Sequence, residues 1–166
     1  GDHPCYDPRK DVVMPSFRDL DTFLPPRAGE PPPDAPRPSL FFFAGDLGSP
    51  AGSTNAGPHT HRNYSLGIRQ AVYRALRAEN DPRLEIVGHL ARDWWHIEYH
   101  KRMRAATFCG AFPGDGWSSR VVDAVIHGCI PVIVQDESFM FFEGAFAEVG
   151  AGLDYSDFSI RLREAD

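Results

Sequence analysis

The stretch from residue 107 to residue 136 constrains the fold of this chain more than any other part of the sequence. A short apolar segment runs into a glycine-rich loop, and the loop opens into a helix that leads to a β-branched strand. Gly114 and Gly116 allow the loop to turn tightly and its backbone to approach a ligand. Ser118 or Ser119 can cap the helix, whose N-terminus presents unpaired N–H groups and a partial positive charge. The pattern predicts an anion-binding loop that suits a diphosphate.

Apolar and amphipathic segments alternate along most of the chain, which predicts right-handed βαβ units. The fold class is therefore α/β, a Rossmann-like parallel sheet with helices on both faces. In such sheets ligands bind beyond the carboxyl ends of the strands, where the strand order reverses. We expect the loops at Gly45 and Gly114 to line one crevice there. Strands are predicted at 40–45, 84–88, 107–112, 130–134 and 154–162, and helices at about 64–79, 94–106 and 118–128.

A proline-rich segment precedes this alternating region. Residues 11–14 (DVVM) predict a short strand, and the segment from Pro25 to Pro38 predicts an extended connector, because proline fixes φ and removes a backbone donor. The chain is therefore divided into a connector over 1–38 and a Rossmann-like domain over 39–166 that is incomplete at its C-terminal end.

Composition and cysteine content limit the classes of partner. The formal net charge of −6 argues against a nucleic acid or an anionic membrane surface, because those partners require a basic face. The three cysteines lack zinc spacing and are too few for a disulfide scaffold. A bridge between Cys109 and Cys129 is sterically possible if their strands are neighbours, but buried free thiols are the favoured interpretation.

Five segments together resemble the exostosin family of glycosyltransferases. The resemblance implies the C-terminal, donor-binding half of a GT-B fold, which consists of two Rossmann-like halves. It also implies inverting transfer of a sugar from a nucleotide sugar, usually a UDP-sugar, to a glycan or glycoprotein acceptor in the Golgi lumen. The segments are KDVVMP (10–15), LFFFAG (40–45), YSLGIRQ (64–70), FCGAFPGDGWSSRVVDAVIHGCIPVIVQD (108–136) and LDYSDFSIRL (153–162).

The resemblance also implies partners that lie outside this chain. Full-length members are typically single-pass type II membrane proteins, so we expect a membrane anchor and an N-terminal acceptor domain that are missing here. We expect this chain alone to be inactive. The implied partners are the nucleotide sugar, a glycan acceptor and related transferases in a homo- or hetero-oligomer, with no nucleic acid. The nucleotide sugar is a substrate, and no cofactor is expected.

Transfer from a sugar diphosphate develops negative charge on the leaving phosphate. Backbone N–H groups, a helix dipole and a guanidinium can neutralise this charge without a metal, so no metal ligand is predicted. We assign donor phosphate contacts to Gly114, Gly116, Ser118 and Ser119. Arg120 is assigned to the diphosphate or to bracing the loop. The alternative is a helix cap followed by a solvated arginine.

Three further residues are candidates for donor binding. Asp123 matches the acidic residue that contacts ribose in many GT-B enzymes, as the resemblance implies; the alternative is an acid that stabilises its own helix dipole. Arg69 stands where the family motif carries an arginine and is predicted to span the diphosphate, with a solvated helix face as the alternative. Asp136, at the end of the 130–134 strand, is placed to contact donor-sugar hydroxyls. No catalytic residue is named, because the base belongs to the opposite domain.

Two functions other than sugar transfer, and a metal site, are alternative interpretations of the sequence. A non-catalytic exostosin-like module or partner subunit is the main alternative function. A dinucleotide-dependent oxidoreductase is disfavoured because Gly45, Gly48 and Gly52 are too widely spaced for G-x-G-x-x-G. His96 and His100 have the i, i+4 spacing of zinc ligands, but no glutamate directly follows the first histidine, so they are predicted to be core or surface residues.

Overall fold

A computed structural model describes residues 7, 10–14, 32, 34–47, 64–88, 92–114, 118–136, 140–143 and 152–165, with only the backbone for 92–97. Within these ranges, five strands form one parallel sheet, and three α-helices and two 3₁₀ turns connect them. The predicted α/β fold with a Rossmann-like parallel sheet is thereby confirmed. The strands are β1 (Ser39–Ala44), β2 (Leu84–Val87), β3 (Ala106–Ala111), β4 (Ile130–Val134) and β5 (Ile160–Leu162). The helices are α1 (Ile68–Glu79), α2 (Arg92–Ala105) and α3 (Arg120–Ile126), and the 3₁₀ turns are Tyr64–Gly67 and Tyr155–Asp157.

The strand order identifies where the sheet can bind a ligand. The strands lie in the order β2-β1-β3-β4-β5, and every neighbouring pair is parallel. In the centre, Phe42 of β1 stands opposite Glu85 of β2 on one side and Cys109 of β3 on the other. The chain leaves β1 toward β2 and then returns to the opposite side of β1. The order therefore reverses between β1 and β3, and a crevice opens beyond their carboxyl ends.

Alternate residues of β1 face opposite sides of the sheet. Phe41 and Phe43 pack with Ile68 of α1 on one face. Phe42 and Ala44 pack on the other face with residues of α2 and α3, among them Tyr99, Met103 and Ala124. Because successive side chains of a strand point in opposite directions, an unbroken apolar run requires helices on both faces. The predicted two-sided arrangement is confirmed.

The structure corrects two predicted strands. Of residues 154–162 only the last three form a strand; the side chain of Asp154 accepts a hydrogen bond from the backbone N–H of Ser156 at 2.8 Å and holds a 3₁₀ turn instead. Residues 11–14 form no strand, because one backbone hydrogen bond, from Phe142 N–H to Val13 O at 2.9 Å, does not make a ladder.

The helix predicted from residue 64 starts as a left-handed turn. Ser65 and Leu66 have φ values of 59° and 54°, and the regular helix begins at Ile68. The side-chain amide of Gln70 donates to the carbonyl oxygen of Tyr64 at 3.1 Å. This bond ties the turn back onto the helix and supports a backbone conformation that L-residues otherwise avoid.

Cys109 and Cys129 form a disulfide, so the favoured interpretation of buried free thiols is wrong. Their strands are neighbours in the sheet, and the parallel register brings the two Cα atoms to 5.8 Å. The bridge spans 20 residues of sequence, which include the glycine-rich loop and α3. It therefore anchors both ends of the segment from which the predicted site is built. No helix in the described part of the chain is long and apolar enough to cross a membrane.

Candidate functional site

Two arginine side chains converge on the carboxyl ends of β1 and β3. Arg69 extends from the first turn of α1, and Arg120 extends from the first residue of α3. Their guanidinium carbons lie 5.4 Å and 5.3 Å from the centroid of the Phe43 ring, near the end of β1. These two predicted donor ligands therefore meet at the point where the strand order reverses, which is where α/β sheets bind ligands.

Arg69 is a buried residue that joins the two loops of the crevice. Its side chain is 2% exposed. Its Nη1 donates to the carbonyl oxygen of Asp46 at 2.8 Å and to the hydroxyl of Tyr64 at 3.1 Å. Its Nη2 donates to the carbonyl oxygen of Phe112 at 3.4 Å. Asp46 follows β1 and Phe112 follows β3, so the alternative of a solvated arginine is wrong, while phosphate contact by Arg69 stays a prediction.

Arg120 crosses from α3 to the end of β1. Its Nε donates to the carbonyl oxygen of Ala44 at 3.2 Å, and its Nη1 donates to the hydroxyl of Ser118 at 3.3 Å. A Cβ atom added to Gly45 would lie 2.5 Å from Nη2, so the missing side chain at that position makes room for the guanidinium. Nη2 makes no hydrogen bond to the residues that the structure describes. Arg120 therefore braces the loop and keeps an unused pair of N–H donors.

The two guanidinium groups repel one another. Burial is the main cause that lowers the pKa of Arg69 to about 10, and the charge of Arg120 lowers it further. Tyr64 and Asp46 act in the opposite direction with smaller effects. Arg69 nevertheless stays protonated at neutral pH. Within the described ranges neither guanidinium forms an ion pair with a carboxylate, so a bound anion would relieve the repulsion.

The glycine-rich loop packs directly against Arg69. A Cβ atom at Gly114 would lie 3.1 Å from Arg69 Nη2 and 3.3 Å from the Tyr64 hydroxyl. Glycine is therefore favoured at position 114, where the loop after β3 contacts Arg69 and Tyr64. Together with the contact of Gly45, this confirms that the loops after β1 and β3 lie at one end of the sheet. Gly116 lies outside the described residues, and its phosphate contact stays a prediction.

The two serines at the start of α3 differ in their hydrogen bonds. The hydroxyl of Ser118 accepts hydrogen bonds from the backbone N–H and from Nη1 of Arg120, both at 3.3 Å. Ser119 occupies the N-cap position but makes no side-chain capping bond. The helix has only seven residues. Because a helix terminus carries only about half a unit charge, the two arginines dominate the positive potential of the crevice.

Asp123 lies on the face of α3 that packs against α2. It is 6% exposed, and its Oδ2 accepts a hydrogen bond from the hydroxyl of Tyr99 at 3.2 Å. This partner stabilises the carboxylate inside the interface between the two helices. Asp123 is also in the first turn of α3, where an acidic residue is electrostatically favoured. Ribose contact by Asp123 stays a prediction.

Asp136 is paired across the carboxyl ends of β4 and β5. Its Oδ1 accepts from the backbone N–H of Glu164 at 3.0 Å, and its own N–H donates to Glu164 Oε1 at 3.2 Å. The pair is exposed and lies beyond strands that are farther from the switch point than β1 and β3. Contact with a donor-sugar hydroxyl stays a prediction.

Several important residues were missed from the sequence. Tyr64 supports Arg69, and the Phe43 ring lies beside both guanidinium groups, but neither stood out in an aromatic or apolar motif. His100 is buried against His127 and is therefore a core residue, which is one of the two predicted alternatives. The side chain of His96 lies outside the described part of the chain. Among the described residues no group of three or more His, Cys, Asp or Glu residues could hold a metal ion.

A family model described as "Exostosin GT47 domain" matches residues 3–166. The chain belongs to the exostosin GT47 family. The resemblance stated from the sequence is confirmed. No solved structure is a significant match to the chain.

Three relatives of this exostosin chain are plant proteins. The chain is 30% identical over 158 residues to probable beta-1,4-xylosyltransferase IRX10 of Arabidopsis thaliana. The aligned region covers 89% of this chain and 33% of that protein. The chain is 31% identical over 123 residues to probable glucuronosyltransferase GUT1 of Oryza sativa subsp. japonica, covering 72% and 26%. For probable glucuronosyltransferase 47 A of Physcomitrium patens the identity is 30% over 136 residues, covering 78% and 27%. The chain thus spans about a quarter to a third of the length of these relatives.

Proposed function

We propose that this chain binds the nucleotide-sugar donor of a glycosyltransferase and holds the donor diphosphate between Arg69 and Arg120. The observation that carries the proposal is the pair of guanidinium groups beside Phe43, at the switch point of the sheet, which form no ion pair with a carboxylate of the described residues. A diphosphate supplies two adjacent anionic groups, which two neighbouring cations can neutralise together. Membership of the exostosin family supports the same reaction class.

The chemistry of transfer assigns a role to each donor group. As the bond from the anomeric carbon to the phosphate oxygen breaks, negative charge grows on the leaving diphosphate. Arg120 Nη2 and the free hydroxyl of Ser119 can donate to that oxygen, and Arg69 adds a fixed positive charge behind them. These groups are held in place before the reaction, so stabilising the charge needs little reorganisation. We propose inverting transfer without a metal, with the base that deprotonates the acceptor supplied by another domain.

We infer the classes of donor and acceptor by analogy with the relatives. Proteins named as probable xylosyl- and glucuronosyltransferases support a UDP-sugar donor and a polysaccharide acceptor such as a plant cell-wall glycan. The disulfide between Cys109 and Cys129 supports an oxidising compartment, and we propose the Golgi lumen. A non-catalytic exostosin-like subunit remains the alternative, and it would lack affinity for the nucleotide.

Calorimetric titration of UDP into the chain tests the proposal. We expect binding that weakens at least 10-fold in Arg120→Ala, because removing a charge-assisted hydrogen bond costs about 1.5–3 kcal/mol. Arg83→Ala is the matched control: Arg83 pairs with Asp81 just before β2, at the opposite end of the sheet, and its loss should leave UDP affinity unchanged. An absence of UDP binding at millimolar concentrations would favour the non-catalytic alternative.

A further inference from the structure

One arginine of the proline-rich segment joins the C-terminal ends of two helices. Arg37 Nη1 donates to the carbonyl oxygen of Ala106 at 2.7 Å and to that of Met103 at 3.4 Å. Its Nη2 donates to the carbonyl oxygen of His127 at 3.0 Å. Met103 lies in the last turn of α2, Ala106 is the first residue of β3, and His127 is the C-cap of α3. A single half-buried side chain therefore connects three elements that lie far from it in the sequence.

The bond to α3 completes the end of that helix. The last carbonyl groups of a helix have no donor within the helix. At the end of α3, the backbone N–H groups of Gly128 and Cys129 donate to carbonyl oxygens of the last turn at 3.0 Å and 2.9 Å. This arrangement is a Schellman motif, and it satisfies two carbonyl groups. Arg37 supplies a donor to a third, that of His127.

The end of α2 has no turn of this kind. The helix ends at Ala105, and β3 begins at the next residue, so no residue separates them. Ala106 stands opposite Ser39 of β1 in the sheet, and Ser39 is two residues after Arg37. The parallel register thus places the arginine beside the junction between α2 and β3, where its Nη1 donates to carbonyl groups on both sides of the junction.

The charge of Arg37 suits this position. Each helix C-terminus carries about half a unit of negative charge, which a cation stabilises. Burial is the main cause that lowers the pKa of Arg37, and the charge of Arg104 lowers it further. An arginine side chain nevertheless keeps its proton at neutral pH. One fixed cation therefore stabilises the ends of α2 and α3 together.

The surroundings of Arg37 restrict its movement. Pro36 and Pro38 flank it, and each ring fixes its own φ. A Cβ atom added to Gly128 would lie 2.8 Å from Arg37 Nη2, so the guanidinium fills the space that a side chain at position 128 requires. Because the prolines already restrict the unfolded backbone, less conformational entropy is lost when this segment is held in place.

We propose that Arg37 is a strap that fixes the end of the proline-rich segment to the C-terminal ends of α2 and α3. Residues 36–38 then move as one body with the sheet, and motion of the earlier part of the connector begins before Pro36. The sequence predicts a connector over 1–38, and the strap makes its last three residues part of the folded domain. This inference does not depend on nucleotide binding, so a failure of the proposed function leaves it intact.

Unfolding of the full chain by denaturant tests the energetic part of the proposal. In Arg37→Ala we expect the unfolding constant to rise about 10- to 100-fold, because carbonyl groups at two helix ends lose a charged donor. Arg83→Ala is the matched control at the same end of the sheet. Arg83 is exposed and pairs with Asp81, so its loss should change the constant less than about 5-fold. An equally small change in Arg37→Ala would overturn the proposal.

A measurement of backbone mobility distinguishes a strap from a contact that only adds stability. Arg37→Lys keeps the charge but loses the planar fork of donors, so it should fold without the strap. Nitrogen relaxation should give an order parameter of about 0.85 for the amide at position 37 in the native chain and below about 0.6 in the lysine variant. Ser39 of β1 should stay rigid in both. A mobile position 37 in the native chain, or an equally rigid one in the variant, would contradict the proposal.

A double-mutant cycle with Gly128 tests where the guanidinium lies. Gly128 has a φ of 64°, so Gly128→Ala carries the cost of a left-handed backbone in any background. The steric conflict with Nη2 exists only while Arg37 is present. The substitution should therefore raise the unfolding constant at least about 3-fold more in the native chain than in Arg37→Ala or Arg37→Lys, as expected for residues in contact. Equal effects in these backgrounds would show that Arg37 does not occupy this position.

Discussion

Gly45→Ala should separate the binding function of Arg120 from the stability of the fold. The added Cβ would lie 2.5 Å from Arg120 Nη2 and 3.1 Å from Phe43 Cζ. The first distance is about 1 Å shorter than an ordinary contact, so the guanidinium has to move away from the end of β1. It is the far end of a flexible side chain and can move without distorting the sheet. Gly45 does not have a left-handed φ, so alanine adds no backbone strain there.

The expected result is a loss of donor affinity without a comparable loss of stability. Displacing Arg120 removes a charge-assisted contact worth about 1.5–3 kcal/mol, which corresponds to a 10- to 100-fold higher Kd for UDP. Alanine also restricts the unfolded chain, which favours folding by about 0.4–1 kcal/mol and offsets small steric costs. Thermal unfolding should therefore give a Tm within a few degrees of the native value.

Gly110→Ala is the matched control for this prediction. A Cβ there would meet the Phe112 ring at 2.7 Å and the Phe41 ring at 3.0 Å, both within the core on one face of the sheet. Overpacking a core costs about 1–3 kcal/mol, so this variant should lower Tm, while Arg120, which is not among the nearest neighbours of the added atom, keeps its position. Unchanged UDP affinity in a folded Gly45→Ala variant would show that Arg120 is not a donor ligand.

Three other changes probe the fold and α3. Leu66→Gly should stabilise the chain by up to about 1 kcal/mol in denaturant unfolding, because Leu66 is 68% exposed with a φ of 54°, and glycine removes the left-handed penalty. Replacing both Cys109 and Cys129 by alanine should destabilise the chain by about 3 kcal/mol, as expected for closing a ring of roughly 20 residues, and reductant should not affect the variant. Asp123→Asn should weaken UDP-sugar binding more than it lowers Tm, since asparagine can still accept from Tyr99; a lower Tm with retained affinity would make the carboxylate structural.

The sheet was predictable because its strands are buried on both faces. Such strands are continuous apolar runs, and the run at 130–134 gave the bounds of β4 without error. Errors occurred where a side chain bonds to the nearby backbone. Asp154 holds a 3₁₀ turn in front of β5, and Gln70 holds Tyr64 in front of α1. The hydrophobic periodicity of the sequence does not predict such bonds, because each depends on one side chain and not on a repeating pattern.

The residue types of the site were predictable, but their arrangement was not. Arg69 and Arg120 were both identified, yet nothing local to either indicates that their guanidinium groups meet at Phe43. That meeting depends on the strand order, which places β3 beside β1, and on the carbonyl groups of Ala44 and Phe112, which accept hydrogen bonds from the two arginines. The disulfide was misjudged for the same reason, because it depends on β3 and β4 being neighbours.

Arg69 and Arg120 are both predicted from the sequence to bind the diphosphate, but the structure gives them different capacities to do so. Nη1 and Nη2 of Arg69 donate hydrogen bonds to neighbouring oxygens, and its Nε is buried without a hydrogen-bond partner. Any phosphate that bonds to Arg69 therefore has to displace one of these oxygens or reach an N–H group of a side chain that is only 2% exposed. Arg120 retains Nη2 for a ligand. Replacing Arg69 should consequently change stability and affinity together, because the loops after β1 and β3 lose their common donor, whereas replacing Arg120 should change mainly affinity.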